Sequence, residues 1–281
     1  MAIHLVTTVD SDNWRTLEAM LSHYRNLQVE AFHVTLHLTE DDDSAREPVT
    51  EIMRRFGCPL YDVVTGDGES IEQETYARPR REYSRDWFIL AGSDDLHQYP
   101  VQPEDLVRIC ESSDRECVYG GLVDRIAADG GIPELDPNRS LEEQFPLGAT
   151  IADAVAQANV LKVVMVRGAI WVPQGQHFAP YANFCPLDTA CVPVFRYKWH
   201  DPVMQTARKR RDLFRESGDP RGHEYERLLE HGELYGGFNI ADPALRAAPC
   251  TPDYPYWAEL REELKTRVVQ TAASFGIRTQ G

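Results

Sequence analysis

Apolar and polar positions alternate along the chain in blocks that spell out β-α-β-α-β. Residues 3–9 (IHLVTTV) read as a buried strand. Asp12 then stands where a helix cap belongs, ahead of an apolar face made by Trp14, Leu17, Leu21 and Tyr24 at helical spacing. Residues 31–38 alternate strictly, with Phe32, Val34, Leu36 and Leu38 on one side and His33, Thr35 and His37 on the other, which predicts a strand with one less apolar face. The acidic stretch Glu40–Asp43 is a loop. Val49, Ile52, Met53 and Phe56 mark the inner side of a short helix that ends at Gly57, and residues 60–65 form a third strand stopped by Gly66-Asp67-Gly68. Such alternation predicts a parallel sheet flanked by helices.

Residues 70–84 read as helical apart from Pro79, and 86–91 (DWFILA) as a fourth strand, apolar throughout and therefore central. Further on the pattern predicts a helix at 104–112, a strand at 116–123, a loop at 129–139, a helix at 151–160 and strands at 162–167 and 191–199. Helices follow at 202–216, 221–233 and 256–274. No linker interrupts the chain. The expected organisation is one α/β domain over 1–200 with a helical C-terminal extension, 201–281, packed on it.

Composition narrows the function. The 281 residues carry 29 Lys and Arg against 45 Asp and Glu, a net charge of −16. Nucleic acid is an unfavourable partner for so acidic a chain, because phosphate backbones need a cationic surface. A bound phosphate group would need local compensation, which a divalent metal supplies. No run approaches the ~20 apolar residues of a membrane span, and MAIHLVTTVD lacks the basic start and apolar core of a signal peptide. A cytoplasmic protein is the expectation. The cysteines at 58, 110, 117, 185, 191 and 250 form no Cys-x-x-Cys or zinc-finger spacing. They read as reduced thiols, with a Cys185–Cys191 disulfide as the alternative.

The strongest chemical signal is Phe88-Ile89-Leu90-Ala91-Gly92-Ser93-Asp94-Asp95-Leu96-His97. It places two adjacent acids just past the carboxyl end of a buried strand, where open α/β sheets bind ligands. Neighbouring carboxylates repel without a cation, and magnesium or manganese takes its oxygens from one or two carboxylates plus substrate phosphates. The alternative is a solvated turn in which Asp94 caps a helix.

This string resembles the Asp-x-Asp motif of nucleotide-sugar glycosyltransferases of the GT-A fold, family-2-like, over roughly residues 1–200. Gly92 takes the place of the first Asp of that motif, Asp94 the second and Asp95 the following acid. The resemblance implies a Rossmann-like, mostly parallel central sheet and a metal, Mn2+ or Mg2+, on Asp94 and Asp95. It also implies a nucleotide-diphosphate sugar donor, first of all a UDP-sugar, with Thr8, Asp10, Asp67 and Ser93 at the strand tips around the nucleotide. It further implies His177, in Gly175-Gln176-His177, as a late metal ligand. Asp124-Arg125, after the strand 116–123, would orient and bind a sugar oxygen, and Arg196 and Lys198 would neutralise the departing nucleotide. Strand alternation would turn Arg196, Lys198 and His200 to the ligand and Phe195, Tyr197 and Trp199 to the packing side. Arg208–Arg211 reads as a solvated helix face. Strand-end turns, a structural Asp-Arg ion pair and a structural histidine remain the alternatives for these residues.

Transfer to an acceptor hydroxyl with inversion needs a carboxylate base. Asp188 stands in a loop well after the motif, and Glu143 is its rival. The acceptor is a small molecule or a glycan. Two other readings stay open, a nucleotidyltransferase on a related fold and a sugar-nucleotide binder without catalysis. The first lacks a Gly- and Lys-bearing loop after the first strand, since residues 8–14 are TVDSDNW. Gly92 favours the second. A metal hydrolase is the poorest fit, for want of a two-histidine motif.

Overall fold

The structure, a computed structural model, describes residues 1–277 apart from Glu30, Glu40, Asp41, Asp67 and Pro252. Its elements in chain order are β1 (Ile3–Asp10), α1 (Leu17–Asn26), β2 (Ala31–Leu38), α2 (Arg46–Arg55), β3 (Asp62–Thr65), α3 (Gly68–Glu82), β4 (Trp87–Leu90), β5 (Asp95–His97), α4 (Pro103–Ser112) and β6 (Cys117–Ile126). They continue with α5 (Leu141–Gln144), β7 (Leu147–Ala149), α6 (Ile151–Ala154), β8 (Leu161–Arg167), β9 (Cys191–Arg196), α7 (Val203–Ser217), α8 (Gly222–Tyr235), β10 (Ala248–Pro249) and α9 (Trp257–Ser274). The chain divides into two compact units that are each discontinuous in sequence. The first comprises 1–121, 161–194 and 259–281, the second 122–160 and 195–258. The sequence pattern had suggested one boundary, at residue 200.

The first unit has the expected α/β, Rossmann-like start. Its sheet runs β8-β4-β1-β2-β3; β1 pairs in parallel with β2 and β4, and β2 with β3. β8 joins β4 antiparallel, and residues 117–121 of β6 join β8 antiparallel. β4 is buried at every residue, as its composition requires of a strand with neighbours on both sides.

Register sorts the two faces of this sheet. Leu5, Val9, Val34 and Leu36 are fully buried on one, with Leu17, Met20, Leu21 and Tyr24 of α1 and Val49 and Met53 of α2 adding to the apolar core. Thr8 lies opposite Thr35 on the other face, and its hydroxyl is 2.8 Å from that of Thr75 in α3. The less apolar side of β2 is therefore covered by α3, not by water. At its far end His4 Nδ1 and His33 Nε2 are 2.9 Å apart with the rings stacked, and His4 Nε2 is 3.3 Å from Asp86 Oδ2.

Burial first, then the neighbouring His4, lower the pKa of His33 from 6.5 to about 4, against a small opposing pull from Glu82. The unfolded chain thus binds more protons than the folded one between these values. Stability is complete above pH about 6.5 and is lost as pH falls toward 4, by up to about 3 kcal/mol for this residue. Urea unfolding of wild type and His33→Gln at pH 7.5, 5.5 and 4 checks it: the wild type should lose more stability than the variant across that interval.

The second unit pairs residues 124–126 of β6 with β7, and β7 with β10, both antiparallel. Ile126, Ile151, Trp199, Val203, Leu228, Leu229 and Phe238 form its core.

Several element boundaries differ from those that periodicity predicts. The helix expected over 151–160 stops at Ala154, and the chain turns at Gln157 with φ 55°. α3 continues through Pro79, and α1 is capped by Thr16 without a side-chain bond, not by Asp12. The strand expected to reach 199 ends at Arg196, because Arg196 and Trp199 turn to one buried carboxylate. All six cysteines are free thiols, so Cys185 and Cys191 are not bridged.

Candidate functional site

The carboxyl ends of β1, β2, β3 and β4 form one edge of the first unit. β4 delivers the chain into Gly92-Ser93-Asp94-Asp95, and two bonds close the turn. Asp95 N–H donates to the Gly92 carbonyl at 3.1 Å, and Gly92 N–H donates to Asp95 Oδ2 at 3.1 Å. Asp95 opens the short strand β5 and is 4% exposed. Tyr24 of α1 holds its backbone, donating to the Asp95 carbonyl at 3.1 Å. Oδ1 of Asp95 is buried with no hydrogen-bond partner, a costly state for a carboxylate oxygen. Two residues on, His97 is 1% exposed; its Nδ1 meets the Tyr99 hydroxyl at 3.0 Å and its Nε2 is also without a partner.

Gly92 is the hinge of the arrangement. A Cβ built on it would stand 2.8 Å from Asp94 Oδ1 and 3.1 Å from Asp95 Oδ2. Both carboxylates thus lean into the space that a side chain at 92 would take. Two carboxylate oxygens over one α-carbon, with a third oxygen buried and unsatisfied beside them, suit a hard divalent cation that completes its shell with phosphate oxygens and water. Among the described residues, no three His, Cys, Asp or Glu side chains gather closely enough to share an ion. His177 therefore does not join Asp94 and Asp95. Its Nδ1 donates instead to the Leu161 carbonyl at 2.7 Å.

At the neighbouring strand tips, Asp10 Oδ1 is 3.0 Å from His37 Nδ1, and His37 Nε2 donates to the Gly66 carbonyl at 2.8 Å. This clasp ties the ends of β1, β2 and β3 together. The sequence pattern placed His37 only on a strand face; the approach of Gly66 was invisible there. Asp67, expected at the same edge, lies outside the described residues. Ser93 is fully buried, its hydroxyl 3.5 Å from the Asn13 carbonyl. Thr8 reaches Thr75, which borders a cavity of about 180 Å³ lined by Thr35, Tyr61, Asp62, Glu74 and Arg78.

No family model matches the chain. No curated protein matches it either. Among solved structures, S. aureus TarS 1-349 in complex with UDP-GlcNAc is 12% identical over 83% of this chain and 73% of that one, with a TM-score of 0.37. A candidate glucose-1-phosphate thymidylyltransferase from Bacillus anthracis is 7% identical over 49% of this chain, with a TM-score of 0.30. A 4-diphosphocytidyl-2C-methyl-D-erythritol synthase is 10% identical over 60% of this chain and 76% of its own, with a TM-score of 0.31. The match spans 62% of the thymidylyltransferase and 44% of the longer TarS chain. Superpositions this loose assign neither a family nor an activity.

The other expected site residues are engaged in structural contacts. Asp188 lies on an exposed loop, 2.6 Å from Lys265 Nζ of α9. The hydrogen bond from Lys265, and then its charge, hold the Asp188 carboxyl below its usual range, which weakens it as a base. In the second unit, Asp124 is fully buried. Its Oδ1 accepts from Arg196 Nη2 at 2.6 Å and Trp199 Nε1 at 2.9 Å, and its Oδ2 accepts from Ala152 N–H at 2.7 Å. Arg125 is 2% exposed, donates twice to the Phe145 carbonyl and lies over the rings of Phe195 and Tyr197. Asp124 and Arg125 are thus not paired with each other; each anchors a different stretch of its unit. Arg196 and Trp199 converge on Asp124, so the alternation expected across 195–200 does not hold.

Lys198 stands over Trp199 and Tyr225. Burial pushes the Tyr225 hydroxyl up, but Lys198, Arg210 and Arg196 together outweigh it and leave its pKa at about 8. Glu143 is spent on a capping box, receiving Ser140 N–H at 3.2 Å while Ser140 Oγ receives its own N–H. That role was legible in Ser140-Leu141-Glu142-Glu143 as a cap signature. Among the described residues no helix is long and apolar enough to cross a membrane.

Proposed function

We propose that this chain is a metal-assisted transferase acting on a nucleotide-diphosphate sugar, a GT-A-type glycosyltransferase with a UDP-sugar as donor and a hydroxyl-bearing small molecule or glycan as acceptor. One observation carries the proposal. Asp94 and Asp95 crowd the bare α-carbon of Gly92 at the carboxyl end of a central strand, and one oxygen of Asp95 is buried there without a partner. A magnesium or manganese ion held by Asp94 and Asp95 would supply positive charge for the diphosphate. Asp10, kept in place by His37, and Thr8 line the same edge for the nucleoside.

The proposed donor site is built from the first unit alone. Asp94 binds; Asp95 binds and, through Gly92 N–H, sets the turn; Tyr24 holds the strand that carries them. Ser93 is buried against the β1 turn and keeps the motif seated.

Calorimetry with UDP and manganese, on wild type and Asp94→Ala, tests this. Wild type should bind UDP only with the metal, and the variant at least about 100-fold more weakly, the upper range for loss of a group that tunes a metal site. Equal, metal-independent binding by both proteins removes the role of Asp94. Slow release of UDP from a UDP-sugar without acceptor then separates an enzyme from a binding protein, and release of pyrophosphate from a nucleoside triphosphate and a sugar phosphate identifies a nucleotidyltransferase.

A further inference from the structure

A buried arginine with no carboxylate partner stands beside the Gly92 turn. Arg80, in the last turn of α3, is 3% exposed. Its Nε donates to the Tyr76 carbonyl at 2.9 Å and its Nη1 to the Ile170 carbonyl at 2.8 Å. These bonds leave three of the five N–H groups of the guanidinium without a protein acceptor, and among the described residues no Asp or Glu pairs with it. Burial first, and then the charge of Arg81, lower its pKa to about 10. A dry cation held by carbonyls alone is costly.

The same cavity exposes an unsatisfied acceptor. Tyr76, Arg80, Leu90, Gly175 and Gln176 border a space of about 10 Å³, room for one water or one hydroxyl. Gln176 is 6% exposed, and its Oε1 is buried with no hydrogen-bond partner. The backbone fixes this residue. Its N–H donates to the Pro173 carbonyl at 3.1 Å, its carbonyl accepts Val163 N–H at 2.7 Å, and its φ of 56° is uncommon outside glycine. Gln73, which is exposed, also borders the cavity and gives it a way out to solvent.

Topology puts the cavity on the side of the turn away from β1, β2 and β3. β8 flanks β4 opposite β1 and runs antiparallel to it, so β8 starts at the carboxyl end of β4. Gln176 bonds to that start, Leu90 is the last residue of β4, and the Tyr76 hydroxyl donates to the Ala91 carbonyl at 2.9 Å. All of these residues belong to the first unit.

We propose that Arg80 and Gln176 form a subsite that takes one hydroxyl of a sugar. The hydroxyl accepts from the Arg80 guanidinium and donates to Gln176 Oε1, so one atom satisfies both groups. A carboxylate or phosphate oxygen can only accept, and would leave Gln176 Oε1 unsatisfied. For the source of the sugar the inference rests on the proposed donor site. With the nucleoside over β1–β3 and the diphosphate at the Gly92 turn, a hexose on that diphosphate extends toward β8. An acceptor sugar offers the same chemistry, and the experiment separates the two.

Gln176→Met keeps the side-chain length and removes the acceptor. Gln176→Asn tolerates positive φ and withdraws the amide by one carbon. Calorimetry with manganese compares UDP, UDP-glucose and UDP-GlcNAc on wild type and both variants. Saturation-transfer NMR follows the free methyl glycosides of the two sugars without metal or nucleotide. UDP alone should bind all three proteins equally. If the hydroxyl is the donor's, a UDP-sugar should bind wild type more tightly than UDP does and lose about tenfold in both variants, the weight of a hydrogen bond to a charged group. If it is the acceptor's, only the free-glycoside signal should fall in the variants. A wild type that does not bind UDP removes the donor reading and leaves the glycosides to decide the subsite. Deoxy forms of the bound sugar test wild type alone, should both variants unfold: one missing hydroxyl should account for the loss. Binding of no sugar, variants that fold and bind as wild type does, or a deoxy series in which every member matches its parent means that the space holds water only, and overturns the proposal.

Discussion

Asp124→Ala should cost about 3–5 kcal/mol of stability, the range for removing one partner from a buried ion pair. The carboxylate is fully buried and takes hydrogen bonds from the Arg196 guanidinium, the Trp199 indole and the Ala152 backbone. Truncation leaves all three donors in a dry site, and Arg196, 17% exposed, keeps a charge with little water to solvate it. Asp124→Asn should recover only part of the loss. Its oxygen can still accept from Arg196 and Trp199, but its amide would turn an N–H toward the N–H of Ala152. Urea unfolding followed by circular dichroism measures both variants. A loss under about 1 kcal/mol for the alanine variant would show that water replaces the carboxylate.

Gly92→Ala and Gly92→Asp should both weaken metal-dependent UDP binding, by roughly 10–100-fold, the effect seen when the groups supporting metal ligands are disturbed. The resemblance to a motif that begins with Asp invites the opposite expectation, that an acid at 92 restores something lost. Geometry decides against restoration. The added Cβ would come within 2.8 Å of Asp94 Oδ1 and 3.1 Å of Asp95 Oδ2, so at least one carboxylate must swing away. The nearest clash is with the end of a short side chain that can rotate, so the fold should survive and the damage should fall on binding. Calorimetry with manganese and UDP, beside a thermal melt, separates the two effects. Tighter binding by Gly92→Asp than by wild type would refute this reading of the turn.

What the residues themselves determined was the first half of the fold. Period-two alternation in residues 31–38, helical spacing at 14–24 and 49–56, and short apolar runs at 3–9, 60–65 and 86–91 fit the elements found there, and the all-apolar composition of β4 fits an interior strand. The turn at Gly92–Asp95 was legible too, since acids directly after such a strand stand at an open edge. Tertiary structure decided everything that depends on residues distant in sequence. It placed Gly66 against His37 and Lys265 against Asp188. It sent Arg196 and Trp199 to the same carboxylate, ending a strand that alternation would have prolonged. It returned α9 to the first unit after a long excursion through the second. The reason is physical: periodicity records which side of an element is buried, whereas a buried charge is satisfied by whichever donors the fold brings near. Those donors leave no mark at neighbouring positions in the chain.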